Sequence, residues 1–399
     1  MAESGARRTE VRASNTTFDF DTIIDRRQTQ SLKWKVYGDE VLPMWVADMD
    51  FASPPTIIEA LHERVNHGIF GYETSSQELK DLIVERLWRL YGWHVESDAI
   101  VFVPGIVTGF NVAIKGLVGP DQGVLIQTPV YGPILHAARN AGVLAQSMAL
   151  THETDGHYGI DPDRFAQAIS DKTRLFLMCN PHNPVGRVWA CDELLMMAEA
   201  CLRHDTIICS DEIHCDLIYN GHRHIPIASL APEIEARSIT LMAPSKTFNI
   251  AGLDCGFAII PNPDLRRAYY LGRGGLAGMP NLLGYVAAQA AYAHGQPWLD
   301  ALLCYLEGNR DLVVDYVTTH TPQLQMVRPE GTYLAWIDCR SADLPEPPKD
   351  FFLNRGRVAF NAGTDFGPEG EGFIRLNFGC PRQLLLDGLQ RMQRALETL

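Results

Sequence analysis

The chain lacks the features that would mark several classes of protein. Its nine cysteines are scattered from Cys179 to Cys380 with no C-x-x-C pair, which argues against a zinc ribbon or disulfide scaffold and implies reduced thiols in a cytoplasmic protein. Basic charge is scarce: 34 lysines and arginines face 48 acidic residues, for a formal net charge of −14. That balance supplies no surface for a polyanion, so nucleic acid is not an expected partner, although a local site for one phosphate remains compatible with it. No apolar run reaches membrane-spanning length. Met1 to Thr17 is polar with no apolar centre, so it is neither a secretory signal nor long enough for a basic helix-turn-helix extension. Internal repeats and low-complexity linkers are also missing. His222-x-His224 has no cysteine or acidic cluster beside it to complete a metal site, and no metal is expected.

What is present suits a globular protein of 399 residues, with 46% apolar and 21% charged residues, enough to bury two lobes sharing an interface. Residues 1–17 read as a flexible lead-in. From Ala99 to about residue 260, apolar runs of five or so residues alternate with helical spacing, which predicts an α/β fold with a mostly parallel central sheet flanked by helices. The runs are Ala99–Val103, Val124–Thr128, Leu175–Cys179, Thr206–Glu212 and Ser238–Met242. Helical spacing returns from Asn281 to about Thr318. The tail, with Tyr333–Ile337, Val358–Phe360 and Phe373–Asn377, predicts a smaller α+β domain. The expected division is 18–53 and 291–399 for the small domain and 54–290 for the large one.

Chemistry collects where the predicted strands end. Ser238–Met242 delivers Lys246, in Ala243-Pro-Ser-Lys-Thr-Phe-Asn249, to the strand end where α/β proteins place ligands. Burial there lowers an ammonium pKa and yields a nucleophilic amine that can form a Schiff base. Thr206–Glu212 ends in Asp211, which either caps a helix or seeks a cation. Pro104-Gly-Ile-Val-Thr-Gly109 reads as a glycine-bearing turn between strand and helix, able to offer backbone N–H groups to a phosphate. Tyr131, held between prolines, can stack on a planar ring. Leu42-Pro-Met-Trp-Val-Ala-Asp-Met-Asp-Phe51 reads either as a core-lining crossover or as a wall of the site. A phosphate cradle, a stacking tyrosine, an asparagine from the Asn180-Pro-His-Asn183 loop after Leu175–Cys179 to bind a hydroxyl, an acid for a ring nitrogen and an amine are together the contacts that pyridoxal phosphate requires.

Through Asn180-Pro-His-Asn-Pro-Val-Gly186, Ser210-Asp-Glu212, Ser245-Lys246 and Arg375, the sequence resembles the fold type I class I/II aminotransferase superfamily, from about residue 18 to 395. Within it the chain is most similar to the MalY/PatB-type cystathionine β-lyases, or C-S lyases. The residues carrying that likeness are Leu42–Phe51, Asp211-Glu-Ile-His214, Ala243–Gly252 and Arg375-Leu-Asn-Phe-Gly-Cys-Pro-Arg382.

The resemblance implies the PLP-dependent transferase fold type I and a homodimer acting on a small sulfur amino acid, by α,β-elimination to a thiol, pyruvate and ammonia. It implies that Lys246 carries the cofactor and removes a proton, Asp211 meets the ring nitrogen, Tyr131 stacks on the ring and Asn183 binds the phenolic oxygen. The amides of Gly105, Ile106 and Val107, the hydroxyl of Ser245 and Tyr72 of a second subunit would hold the phosphate. Arg375, with the backbone near Ala47, would bind the substrate carboxylate. Two departures from ordinary aminotransferases imply the lyase branch: His214 stands where they carry a tyrosine, and Asp254 where they carry a phosphate-binding arginine. Aminotransferase is the alternative activity. A regulatory protein on this scaffold is disfavoured by the complete cofactor set.

Overall fold

The computed structural model describes residues 18–399; the expected lead-in, 1–17, lies outside the described residues. A seven-stranded sheet forms the centre, in the order Ile100–Val103, Gly256–Ile259, Ser238–Met242, Ile207–Asp211, Thr173–Cys179, Gly123–Thr128, Leu144–Ala149. Gly256–Ile259 runs antiparallel to both its neighbours, and the pairs from Ser238–Met242 to Leu144–Ala149 are parallel. Strand periodicity explains why both faces are apolar. Leu175, Leu177 and Cys179 join one core with Ile207 and Cys209, whereas Phe176, Met178 and Ile208 join another on the opposite face, as successive side chains must. The helices Ile106–Leu117, Gly132–Ala141 and Pro263–Arg273 cover the first face and Cys191–Arg203 the second.

One segment differs from its sequence reading. Only Pro104 and Gly105 form the turn; Ile106, read as part of it, already opens the helix Ile106–Leu117. The β-branched Ile106, Val107 and Thr108 are poor helix formers, but Ile106, Phe110, Ala113 and Ile114 are buried against the sheet, and that packing overrides propensity. Gly116 and Gly272 let this helix lie against Pro263–Arg273: a Cβ on Gly116 would sit 2.4 Å from the Ala268 carbonyl oxygen, and one on Gly272 equally close to that of Val112. Backbone packing therefore holds the C-terminal half of this helix in place.

The C-terminal part holds the 25-residue helix Gln296–His320, the helix Arg382–Leu396 and a four-stranded antiparallel sheet in the order Gln325–Met326, Leu334–Asp338, Phe373–Asn377, Asn361–Ala362. Leu42–Pro43 pairs in parallel with Val358–Ala359, so the segment before residue 54 packs with this part. Residues 45–51 then cross, without regular structure, between the small sheet and the carboxyl ends of the large one. Among the described residues no helix is long and apolar enough to cross a membrane.

Candidate active site

A cavity of about 350 Å³ opens at the carboxyl ends of the central strands, within the range of small-molecule sites. It is lined by Ala47, Gly105, Ile106, Val107, Tyr131, Asn183, Asp211, His214, Ser245, Lys246 and Arg375, so eleven of the twelve residues expected at the site meet there. Tyr72 does not: it is fully exposed, in the loop before the helix Gln77–Tyr91.

Lys246 follows the strand Ser238–Met242 within the short helix Pro244–Thr247. Thr247 donates its hydroxyl to Asp216, 2.9 Å away, and Asp216 pairs with Arg86 at 2.6 Å, which anchors the turn. The Lys246 amine faces the cavity and donates to the Ala47 carbonyl at 2.7 Å. Burial, helped by Arg375 and opposed by Asp48 and Asp211, lowers its ammonium to about 8, so an appreciable fraction is free amine near neutral pH.

The two adjacent acids at the end of Ile207–Asp211 have different fates. Glu212 is fully satisfied, accepting from Ser210 Oγ at 2.9 Å, from the Ile227 amide at 3.3 Å and pairing with buried His224 at 2.7 Å. That pairing accounts for His224, while His222 is exposed. Asp211 lines the cavity and accepts a single bond, from the Ile213 amide at 3.2 Å. Burial raises its pKa to about 7, with the Ile213 bond and Lys246 opposing and Glu212 adding to the rise. A carboxyl so placed favours a cationic partner in the cavity. His214 is buried with Nδ1 unpaired, and burial beside Lys246 and Arg375 depresses it to about 3, so it is a neutral imidazole.

Arg375 lies mid-strand and buried. Its guanidinium donates to Asn183 Oδ1 at 3.0 Å, to the Trp45 carbonyl at 2.9 Å and to Asn361 Oδ1 at 2.7 Å. It rests 4.7 Å over the Phe366 ring. Among the described residues it has no carboxylate within salt-bridge distance, and its Nε is buried without a partner. Burial without a counter-ion lowers it to about 10. The ordinary ion pair that a strand arginine would make is absent, and an anion entering the cavity would supply it.

At the opposite wall the helix Ile106–Leu117 points its N-terminus into the cavity, where the first amides have no partner within the helix. Gly105 precedes them in extended backbone, and a Cβ there would meet nothing within 4 Å among the described residues. The open amides, Ser245, the stacking face of Tyr131 and the unbalanced Asp211 fit a phosphorylated, cationic aromatic ring such as pyridoxal phosphate.

Several residues at the site carry no signal that reasoning from the sequence used. Tyr333 donates its hydroxyl to the same Ala47 carbonyl as Lys246, at 2.9 Å. Asn249 grips the crossing segment, accepting from the Met49 amide and donating to the Met49 and Phe51 carbonyls at 2.8–2.9 Å. Its backbone is left-handed, at φ 56°. Asn377 does comparable work, donating to the Val46 and Asp48 carbonyls, and Asn361 accepts from the Arg375 guanidinium. Asn249 and Asn377 stand three and two residues after Lys246 and Arg375, and that proximity is the signal that could have found them.

Residues 39–392 match the aminotransferase class I and II family. The cystathionine beta-lyase PatB of Bacillus subtilis (strain 168) is 42% identical over 388 residues, spanning 95% of this chain and 100% of the relative. A crystal structure of OvoB superposes with a TM-score of 0.91 at 45% identity, over 96% of this chain and 100% of that one. The PLP-bound C-S lyase of Staphylococcus hominis superposes with a TM-score of 0.91 at 35% identity, over 96% of this chain and 99% of that one.

Proposed function

We propose that the chain, which belongs to the aminotransferase class I and II family and is a pyridoxal phosphate-dependent carbon–sulfur β-lyase, uses Lys246, Asp211, Asn183 and Arg375 to cleave cystathionine or a related cysteine S-conjugate. The observation that carries this assignment is the pairing, on one cavity, of an amine lowered toward neutrality with a buried guanidinium that lacks a counter-ion. Together they match an α-amino acid: one binds its carboxylate and the other takes its α-proton.

In this reading Asp211 holds the cofactor's ring nitrogen protonated, Asn183 binds its phenolic oxygen and Tyr131 stacks on its ring. The amides of Gly105, Ile106 and Val107 with the Ser245 hydroxyl hold its phosphate. When bound, the cofactor serves as an electron sink for negative charge at the substrate's α-carbon. Arg375 receives the α-carboxylate through its planar fork, with Trp45 and Asn361 keeping the fork in place. Lys246 removes the α-proton onto Nζ, and sulfur leaves the β-carbon with the bonding pair of the C–S bond. Hydrolysis of the unsaturated product gives pyruvate and ammonia. Neutral His214 adds no second cation beside Lys246.

The assembly proposed is a homodimer in which Tyr72 reaches the partner's phosphate site. Its support is the full exposure of Tyr72 together with exposed Ile69 and Phe70 in the same loop, since apolar side chains grouped in the open mark an interaction face. Nine unpaired cysteines among the described residues support a reducing, cytoplasmic setting. The pairing of Leu42–Pro43 with Val358–Ala359 supports a small domain built from 18–53 and 291–399.

The test is purified protein with pyridoxal phosphate and L-cystathionine, following free thiol and pyruvate with and without an added keto acid. Thiol and pyruvate without the keto acid are expected, and Lys246→Ala should lose them by roughly a thousandfold or more while keeping its melting temperature. Amino-group transfer that requires the keto acid would instead assign an aminotransferase.

A further inference from the structure

The crossing segment Trp45–Met49 has every backbone carbonyl engaged by a side chain. Trp45 accepts from Arg375 at 2.9 Å, Val46 from Asn377 at 2.5 Å, and Ala47 from Lys246 at 2.7 Å and Tyr333 at 2.9 Å. Asp48 accepts from Asn377 at 2.7 Å and Lys33 at 3.2 Å, and Met49 from Asn249 at 2.9 Å and Arg26 at 3.3 Å. The segment is thus a common rest for the two groups given the chemistry, Lys246 and Arg375. It has no strand or helix of its own to keep its shape.

Asn377 is placed to supply that shape. It lies two residues beyond Arg375 on the strand Phe373–Asn377, hence on the same face, and is 1% exposed. Its Oδ1 accepts from the Gly379 amide at 2.7 Å, which fixes the amide so that both donor hydrogens point at the segment. Those hydrogens reach Val46 and Asp48, the residues on either side of Ala47. Asn377 does not line the cavity, so it acts on the reaction through the carbonyl it flanks.

We propose that Asn377 is a positioning residue: by bridging Val46 and Asp48 it aims the Ala47 carbonyl at the Lys246 amine and the Trp45 carbonyl at Arg375. This rests on Lys246 and Arg375 being the proton acceptor and the carboxylate anchor. Loosening the bridge misplaces both and admits water to the amine, whose charged neighbours are Arg375, Asp48 and Asp211.

The experiment compares Asn377→Ala with Asn309→Ala. Asn309 is equally buried and its amide also bridges two carbonyls, of Phe378 and Cys380 at 3.0 and 2.8 Å, without touching Trp45–Met49. Four quantities are read: melting temperature, kcat and KM with cystathionine, and the pH at which the cofactor-free protein captures pyridoxal phosphate half-maximally, followed by absorbance. Both variants should lose similar thermal stability. Asn377→Ala alone should raise KM roughly tenfold and move the capture midpoint up by about one pH unit, toward the free-amine value. Asn309→Ala should hold KM within about twofold and the midpoint within about 0.3 pH unit. Equal kinetic effects in the two variants, or none in Asn377→Ala, overturn the proposal. Should Asn377→Ala not fold, Asn377→Ser is measured against the same control and read the same way. Wild-type protein that captures no cofactor at Lys246 removes the underlying assignment; normal wild-type capture with an indistinguishable Asn377 variant removes only the positioning role.

Discussion

Replacing Asp211 with asparagine should stabilise the cofactor-free protein above neutral pH while weakening its hold on the cofactor. The side chain is buried with one backbone donor, and its pKa stands at about 7 against the usual 3.8. The folded protein therefore binds this proton more tightly than the unfolded chain. Stability that is present below pH 3.8 is lost as pH rises to about 7. A rise of about three units at about 1.36 kcal/mol each corresponds to roughly 4 kcal/mol. Asparagine cannot charge, so it avoids that loss, and about 2–4 kcal/mol of it should be recovered at pH 8. Lys246 works in the opposite direction, its lowered pKa adding stability between about 8 and 10.5, so the comparison is made below pH 8. Urea denaturation of cofactor-free wild type and Asp211→Asn from pH 4.5 to 8 should show curves that diverge as pH rises and level off above 7. With pyridoxal phosphate bound the order should reverse, because the variant has no charge for the ring nitrogen. A variant that is less stable without cofactor at every pH, or a difference that ignores pH, refutes the argument.

Other expectations concern the walls of the same cavity. Arg375→Lys removes the planar fork that reaches Asn183, Trp45 and Asn361, and KM for the amino acid should rise roughly 10–100-fold with a smaller change in kcat; an unchanged KM would displace Arg375 from the carboxylate. Tyr72→Ala should weaken cofactor affinity roughly tenfold in an absorbance titration. Mixing that variant with Lys246→Ala should restore activity by forming hybrid dimers with one complete site, and failure to complement would place Tyr72 outside the partner's site. The rate of cofactor capture should climb as pH rises through about 8, where Lys246 loses its proton; a flat profile there would mean the amine is not the limiting group.

Lys246, Asp211 and the parallel strands were legible because strand ends concentrate chemistry and because period-two apolar runs survive in the sequence as runs. The early start of the helix at Ile106 was hidden by three β-branched residues whose preference yields to packing. The role of Glu212 was hidden too, since it is a second acid at the strand end that offers Asp211. What separates them is the pleat, which turns one to the cavity and the other to His224. Least legible were Tyr333 and Asn377, whose acceptors are backbone carbonyls of a distant segment; a backbone acceptor leaves no residue type behind to be noticed. The missing counter-ion of Arg375 is likewise a property of space, with no counterpart in spacing.

The rest formed by Trp45, Val46 and Ala47 is made of main-chain oxygen, an atom that every amino acid carries. Anchoring of Lys246 and Arg375 is thereby separated from the side chains at these three positions, all of which border the cavity. A library randomised at 45, 46 and 47 can reshape the room given to the sulfur substituent while leaving the attachments of Lys246 and Arg375 in place. Variants with new leaving-group preferences should arise there more often than among the asparagines that support the segment.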